Sequence, residues 1–243
     1  MTPSGVGIDN FAGILAREDY RATILRTFWF AAIVTVVSVP IGICCGLFLA
    51  RTGLRRGPLL ALVLTPWLVS VVVRSYGWTV VLGNRGVVNW ALRAVGLTDA
   101  PVQFLYQPLG TIIGLVHVFA PLLVLSVMAA ALHQDRALEE AASCLGSRPL
   151  QTFRLVTLPV LAPGIVTGSA IVFLLSCGAV VTPLLLGGLR QTMIASQIYQ
   201  DIFHTFDLPK ASAMSMILLA ATLLIALVAK LVHITLAGTR RAG

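Results

Sequence analysis

The sequence predicts an all-α integral membrane protein, a bundle of apolar helices in a single transmembrane domain spanning residues 1–243. Two features of composition lead there. The chain is 58% hydrophobic and only 11% charged, with a mean hydropathy of +0.94, which excludes an ordinary soluble domain. Its apolar residues are also gathered into runs that match a bilayer core about 30 Å thick, which takes roughly 20 residues per helix. The net charge of +8 does not point to nucleic acid, because the basic residues lie singly along the chain, as membrane proteins place them between spans.

Five spans are expected. Runs at 28–50, 109–132, 155–189 and 211–229 carry no charge, and a run at 59–82 carries only Arg74. The N-terminal segment 1–27 mixes Asp9, Arg17, Glu18 and Asp19 with apolar residues and has no basic lead into a short apolar core. It is therefore not a signal peptide. The first span ends in Arg51, Arg55 and Arg56, a stop-transfer pattern. Pro40, Pro66 and Pro121 fall inside spans, where neighbouring helices tolerate the lost backbone donor and the kink it permits. Of the four cysteines, Cys44, Cys45 and Cys177 lie in spans as small packing residues, and Cys144 lies between spans.

Chemistry-bearing residues are sparse. There is no G-x-x-x-x-G-K-[ST] run for phosphate, and the four His and four Cys are dispersed rather than clustered for a metal. Arg74 is the one charge within a span. Either it is structural, reaching water by snorkelling or through a break at Gly77, or it gates a pathway. Trp67, Tyr76 and Trp78 are candidates for a pathway that takes cations, each ring worth about 0.5–2 kcal/mol in cation–π attraction. Interfacial anchoring is the competing role for these aromatics. No Asp or Glu lies in any span, and Asp99, Asp201 and Asp207 are expected on solvated loop faces. His117 is expected to be a packed or hydrogen-bonded helix residue. Residues 86–96 and 194–206 have the pattern of short interfacial helices, the second with Ile198, Ile202 and Phe206 on one side.

The polar interruption at 133–160 has a helical logic of its own. Asp135 can cap a helix on which Leu138, Ala141, Ala142 and Leu145 follow i, i+3, i+4, i+7 spacing. Gly146 suits a left-handed position after that helix. Ser147 can then cap a second short helix with Pro149 in its first turn. Leu158-Pro159 and Pro163-Gly164 are expected to end the loop and start the next span. The result is two short helices with a sharp bend along the membrane surface, with Leu150, Phe153 and Leu155 as an apolar knob.

Within this stretch Glu140-Ala141-Ala142, then Gly146, then Val156-Thr157-Leu158-Pro159 resemble the EAA loop of ABC importer permeases. Further segments over roughly 27–221 resemble permeases of the spermidine/putrescine type. These are Arg74-Ser75-Tyr76-Gly77-Trp78, the run from Leu82 to Asn89, Leu105-Tyr106, the run from Pro159 to Gly164, and Leu185 to Gly188. The resemblance implies the transmembrane bundle of a type I ABC importer. It also implies a cytoplasmic coupling loop at 133–160 whose Glu140, Ala141, Ala142, Gly146, Phe153, Arg154, Leu158 and Pro159 meet an ATPase. ATP hydrolysis would then lie on a separate partner subunit, so the chain is expected to be no enzyme and to hold no cofactor. The implied partners are ABC ATPase subunits, a second permease of different sequence, a periplasmic or extracellular substrate-binding protein and membrane lipid, with no nucleic acid.

The implied location is the bacterial inner (plasma) membrane, with the loop and the C-terminus cytoplasmic. Charge counting favours that orientation independently. Arg51, Arg55, Arg56, Arg136, Arg148, Arg154, Lys230, Arg240 and Arg241 lie on the loop side, against Arg85, Arg93, Arg190 and Lys210 in the two opposite loops after the first span, with Arg17, Arg21 and Arg26 of segment 1–27 left on that opposite side. Segment 1–27 then falls outside. The resembled permeases carry one more N-terminal helix, six in all, so the chain is expected either to start late or to be a shortened variant. The implied cargo is a polyamine. Iron, thiamine, phosphonate or an opine is the alternative, and a secondary transporter or channel the rival class.

Overall fold

In a computed structural model, residues 13–238 are described except 15, 54, 55, 136, 189 and 190, with side chains to residue 231. Arg55, Arg136, Arg190, Arg240 and Arg241, and the first twelve residues of segment 1–27, lie outside the described residues. The described chain is helical, in the order α1 (Glu18–Arg51), α2 (Arg56–Leu68), α3 (Val71–Leu82), α4 (Val87–Ala94), α5 (Pro108–Leu132) and α6 (Ala137–Cys144). Then come α7 (Pro149–Cys177), a turn at Pro183–Gly187, α8 (Ile194–Phe203) and α9 (Leu208–Gly238). Helices α1, α5, α7 and α9 are each long and apolar enough to cross a membrane; Arg56–Leu68 and Val71–Ala94, bent by 92° at the break between them, are long and apolar enough only as a pair, as a broken span or a re-entrant loop.

Helix α5 is the central post. Helices α1 and α7 pack on it and on each other, around Phe30, Val34, Leu115, Leu123, Val127, Leu161 and Val172. In lipid, helices associate through close packing rather than water exclusion, so small residues decide how near they come. Gly42 and Gly46 of α1 form a G-x-x-x-G step against α5. A Cβ on Gly42 would lie 1.9 Å from Leu123 Cδ2, and one on Gly46 would lie 2.9 Å from the Val124 carbonyl oxygen. Gly164 and Gly168 of α7 repeat the step on the other side, with virtual Cβ positions 2.8 Å from the Ser126 carbonyl and 2.9 Å from its Cβ. Two glycine steps thus clamp one helix.

Several span expectations change. The first helix is continuous from Glu18, so the end of segment 1–27 is already helical. Acidic Glu18 and Asp19 suit its positive N-terminal end. At the other end Arg56 donates from Nε to the Leu49 carbonyl (3.1 Å) and from Nη2 to that of Ala50 (2.9 Å), tying off the last turn. The run 59–82 breaks at Val69-Ser70, directly after a turn weakened by Pro66, and Gly77 sits in unbroken helix. The run 155–189 is not one span, because its helix stops at Cys177 before Gly178. Cys177 is buried as expected, whereas Cys44 and Cys45 are exposed, because the adjacent glycines take the packed face.

Helix α8 ends at Phe203, and Phe206 lies beyond it in left-handed conformation, 78% exposed. Its buried face carries Ile194, Ile198 and Asp201. The Thr27 hydroxyl accepts the Ile194 N–H at 2.8 Å and ties α8 to α1. Asn89 of α4 is fully buried, donating to the Gly83 and Val102 carbonyls and accepting from the Val102 N–H.

Candidate coupling loop and transmembrane cleft

Asp135 caps α6 as expected, its carboxylate accepting the Ala137 N–H at 2.9 Å. At the far end Gly146 has φ +79°. The Gly146 N–H reaches the Ser143 carbonyl (3.0 Å) and the Ser147 N–H reaches that of Ala142 (3.1 Å), a complete Schellman ending. The next helix differs from expectation. Its cap is Arg148, whose N–H donates to Gln151 Oε1 at 3.1 Å, while the Ser147 hydroxyl accepts from Thr152. Pro149 takes the first helical position.

This second helix is no separate surface piece. It runs directly into the membrane span through a widened turn at Phe153–Thr157, where the Leu158 N–H reaches the Phe153 carbonyl five residues back. Pro159 explains the widening, because its ring would press on a normally wound preceding turn.

The two glutamates at the start of the loop part company. Glu140 is exposed. Glu139 turns inward, with the Arg51 guanidinium 2.8 Å from Oε1 and 3.0 Å from Oε2. Gln134 donates to the same Oε1 at 3.0 Å and the Thr157 hydroxyl at 2.7 Å. Motif spacing does not single out Glu139. Its one sequence signal is that neighbouring helix positions point about 100° apart, so two adjacent acids cannot serve one face. The apolar face of α6 is left uncovered, with Leu138 51% and Leu145 88% exposed and Ala141 exposed between them. Leu150 and Leu155 are also exposed, whereas Phe153 is half-buried and lines a separate cleft of about 260 Å³ with Glu139 and Thr157. Ala142 and Leu158 are half-buried; Arg154 and Pro159 are exposed.

A cleft of about 500 Å³ opens where two helix breaks meet, Val69-Ser70 between α2 and α3 and Gly178–Thr182 after α7. Broken helices are tolerated at membrane depth only where protein or a cavity satisfies their backbone. Trp67 and Arg74 both line this cleft. The Arg74 guanidinium donates to the Pro66 carbonyl, bridging the bend from α3 back to α2. The Trp67 indole donates to the Val118 carbonyl at 2.7 Å. Ser75 and Thr182 hydroxyls lie 3.4 Å apart, linking α3 to the segment after α7. Tyr76 is 58% exposed and does not line the cleft. Trp78 also lies off it, donating to His117 Nδ1 at 3.1 Å, which gives His117 its expected hydrogen bond.

Of the three loop acids, Asp99 is exposed, Asp207 pairs with Lys210, and Asp201 is 3% exposed rather than solvated. Asp201 Oδ1 accepts from Gln197 at 3.0 Å, and Oδ2 has no partner among the described residues. Burial raises its carboxyl above the ordinary range, against the opposing Gln197 hydrogen bond and the Lys210 and Arg17 charges. A raised folded value favours the protonated form. The stability it confers is complete below the ordinary carboxylate value and is lost as pH rises through the raised one. Asp201→Asn is expected to unfold at or above the wild-type temperature at neutral pH, with the gap closing towards about pH 4. Paired melting curves in detergent check this, and a constant gap across that range contradicts it.

Residues 10–237 match the family described as the binding-protein-dependent transport system inner membrane component. The chain belongs to that family. Among similar relatives, the spermidine/putrescine transport system permease protein PotB of Salmonella typhimurium (strain SL1344) is 31% identical over 212 residues, covering 87% of this permease and 74% of the relative. PotB of Escherichia coli (strain K12) is 30% identical over 212 residues, covering 87% and 77%. The putative 2-aminoethylphosphonate transport system permease protein PhnU of Salmonella paratyphi A (strain ATCC 9150 / SARB42) is 24% identical over 214 residues, covering 87% and 74%. The fold matches a bacterial ABC transporter involved in the import of the acidic polysaccharide alginate. The TM-score is 0.74 at 21% identity, over 96% of the permease and 85% of that chain. The permease is thus a multi-pass inner-membrane transport component of type I ABC importer fold.

Proposed function

We propose that this permease is driven by an ATPase docked on α6, and that its cargo is a polyamine. The observation that carries the coupling role is the orientation of α6. Its polar Glu139 faces the bundle, while its apolar Leu138, Ala141 and Leu145 face away uncovered. A surface helix normally does the reverse. Exposed leucines beside Glu140 make a patch suited to a protein partner. The partner is the ATPase subunit, with Glu140 meeting a basic group on it. The lysine and arginine distribution supports a cytoplasmic loop and C-terminus. A second permease of different sequence completes the pathway, and a binding protein delivers solute at the opposite end.

Polyamine cargo is supported by the 31% identity to PotB, which extends over both bundle and loop. Arg74 in the cleft favours a second reading, a solute that carries an anionic group. The test is ATP-dependent uptake of labelled putrescine, spermidine and 2-aminoethylphosphonate by vesicles holding the complete transporter. Polyamine uptake that falls at least about tenfold in Glu140→Ala supports the proposal. Uptake of the phosphonate alone, lost in the same variant, keeps the coupling role and replaces the cargo. Uptake indifferent to Glu140→Ala overturns the docking role.

A further inference from the structure

We propose that Glu139 is the positioning residue through which movement of the α6 helix reaches the membrane bundle. The inference rests on the reading of α6 as the ATPase-docking element. A short surface helix can transmit a displacement only if it is held to what it must move. Coupling travels through contiguous hydrogen-bonded and packed groups. Among the described residues, α6 makes its ion pair to the bundle through one side chain. Glu139 Oε1 accepts from three donors, Arg51 at 2.8 Å, Gln134 at 3.0 Å and Thr157 at 2.7 Å, and Oε2 takes Arg51 at 3.0 Å.

Those donors belong to three different parts of the bundle. Arg51 is the last residue of α1, Gln134 lies just past the end of α5, and Thr157 closes the widened turn where α7 enters the membrane. One carboxylate therefore joins the docking helix to the three helices that form the core. The Thr157 bond is charge-assisted and, with Thr157 2% exposed, shielded from water, whereas the Arg51 side chain is 54% exposed and its ion pair is the more screened attachment. Widened helical turns are frequent at functional sites, and this one carries the deepest anchor point of the network. The glutamate pair divides the work between two faces. Glu140 points to the partner and Glu139 to the permease.

The test compares Glu139→Ala, Thr157→Val and Glu140→Ala in the complete reconstituted transporter, measuring assembly, ATP hydrolysis and solute taken up per ATP. Thr157→Val is the decisive variant, because it keeps the size of a residue that is only 2% exposed and replaces its hydroxyl with a methyl. Glu139→Ala and Thr157→Val are expected to assemble and hydrolyse ATP within about twofold of wild type. Uptake per ATP should fall about tenfold in Glu139→Ala and several-fold in Thr157→Val. Glu140→Ala instead loses ATPase association. Unchanged uptake per ATP in Glu139→Ala and Thr157→Val overturns the inference, as does loss of assembly in both, which would make the network a folding element. If Glu140→Ala is also silent, the docking reading itself fails.

Discussion

Leucine at Gly46 is expected to remove the folded permease from the membrane, while leucine at the preceding Cys45 leaves it intact. The contrast arises from which way the two side chains point. Cys45 is exposed on the outer side of α1. Gly46 faces α5, where its Cβ would come within 2.9 Å of the Val124 carbonyl and 3.0 Å of the Met128 nitrogen. Overpacking costs about 1–3 kcal/mol even when the neighbours are side chains that can yield. Here two of the three nearest atoms are backbone and the third is Val127 Cγ1 at 2.9 Å, all on a helix already pressed from its other side by Gly164 and Gly168, so relief means separating α1 from α5. Against a total stability of about 5–15 kcal/mol, that loss is severe. Expression level, size-exclusion profile and unfolding temperature in detergent read it out. Similar behaviour of Gly46→Leu and Cys45→Leu would refute the packing role.

Gly146→Val is expected to leave the bundle folded and to reduce uptake by at least about tenfold. No atom lies within 4 Å of a Cβ built on Gly146, so space is not the constraint. The constraint is its φ of +79°, which a β-branched residue enters at a cost of about 1–2 kcal/mol or more. Valine would move the chain out of that conformation and unmake the two closing hydrogen bonds of α6. The docking face and Glu139 would then be held in a different relation to α7. Gly146→Asn, which tolerates left-handed backbone, should retain most of the uptake. Equal uptake for Val and Asn would show that the bend is immaterial, and loss of the folded bundle in Gly146→Val would show that its role is not local.

The loop is legible in the sequence because its signals are local. The Asp135 cap and the Gly146 turn depend on a few consecutive residues and on backbone sterics, and the sequence states them directly. The segment after Gly146 is harder to read because prolines are ambiguous. Pro149 and Pro159 can bound a helix or be absorbed in one, and the widened turn at Phe153–Thr157 absorbs the second. Asp201 departs from expectation because polarity predicts exposure only on average. The Ile194, Ile198 and Asp201 stripe turns the carboxylate inward along with its apolar neighbours. The two G-x-x-x-G steps are present to be read, since that spacing in an apolar helix marks close approach, but spacing alone does not name the partner helix.

By itself the sequence determined that the chain crosses a membrane, where its polar loop begins, and which residues bend that loop. These properties arise from transfer of side chains into hydrocarbon and from allowed backbone angles, both set residue by residue. Only the tertiary structure decided that the second apolar run breaks at Ser70 and bends by 92°, that Arg74 bridges that bend, and that Glu139 rather than Glu140 holds the loop to the bundle. Each of these depends on which distant groups meet. A guanidinium at position 51 and a carboxylate at 139 are 88 residues apart in the chain, and only the packing of α1 against α5 brings them together.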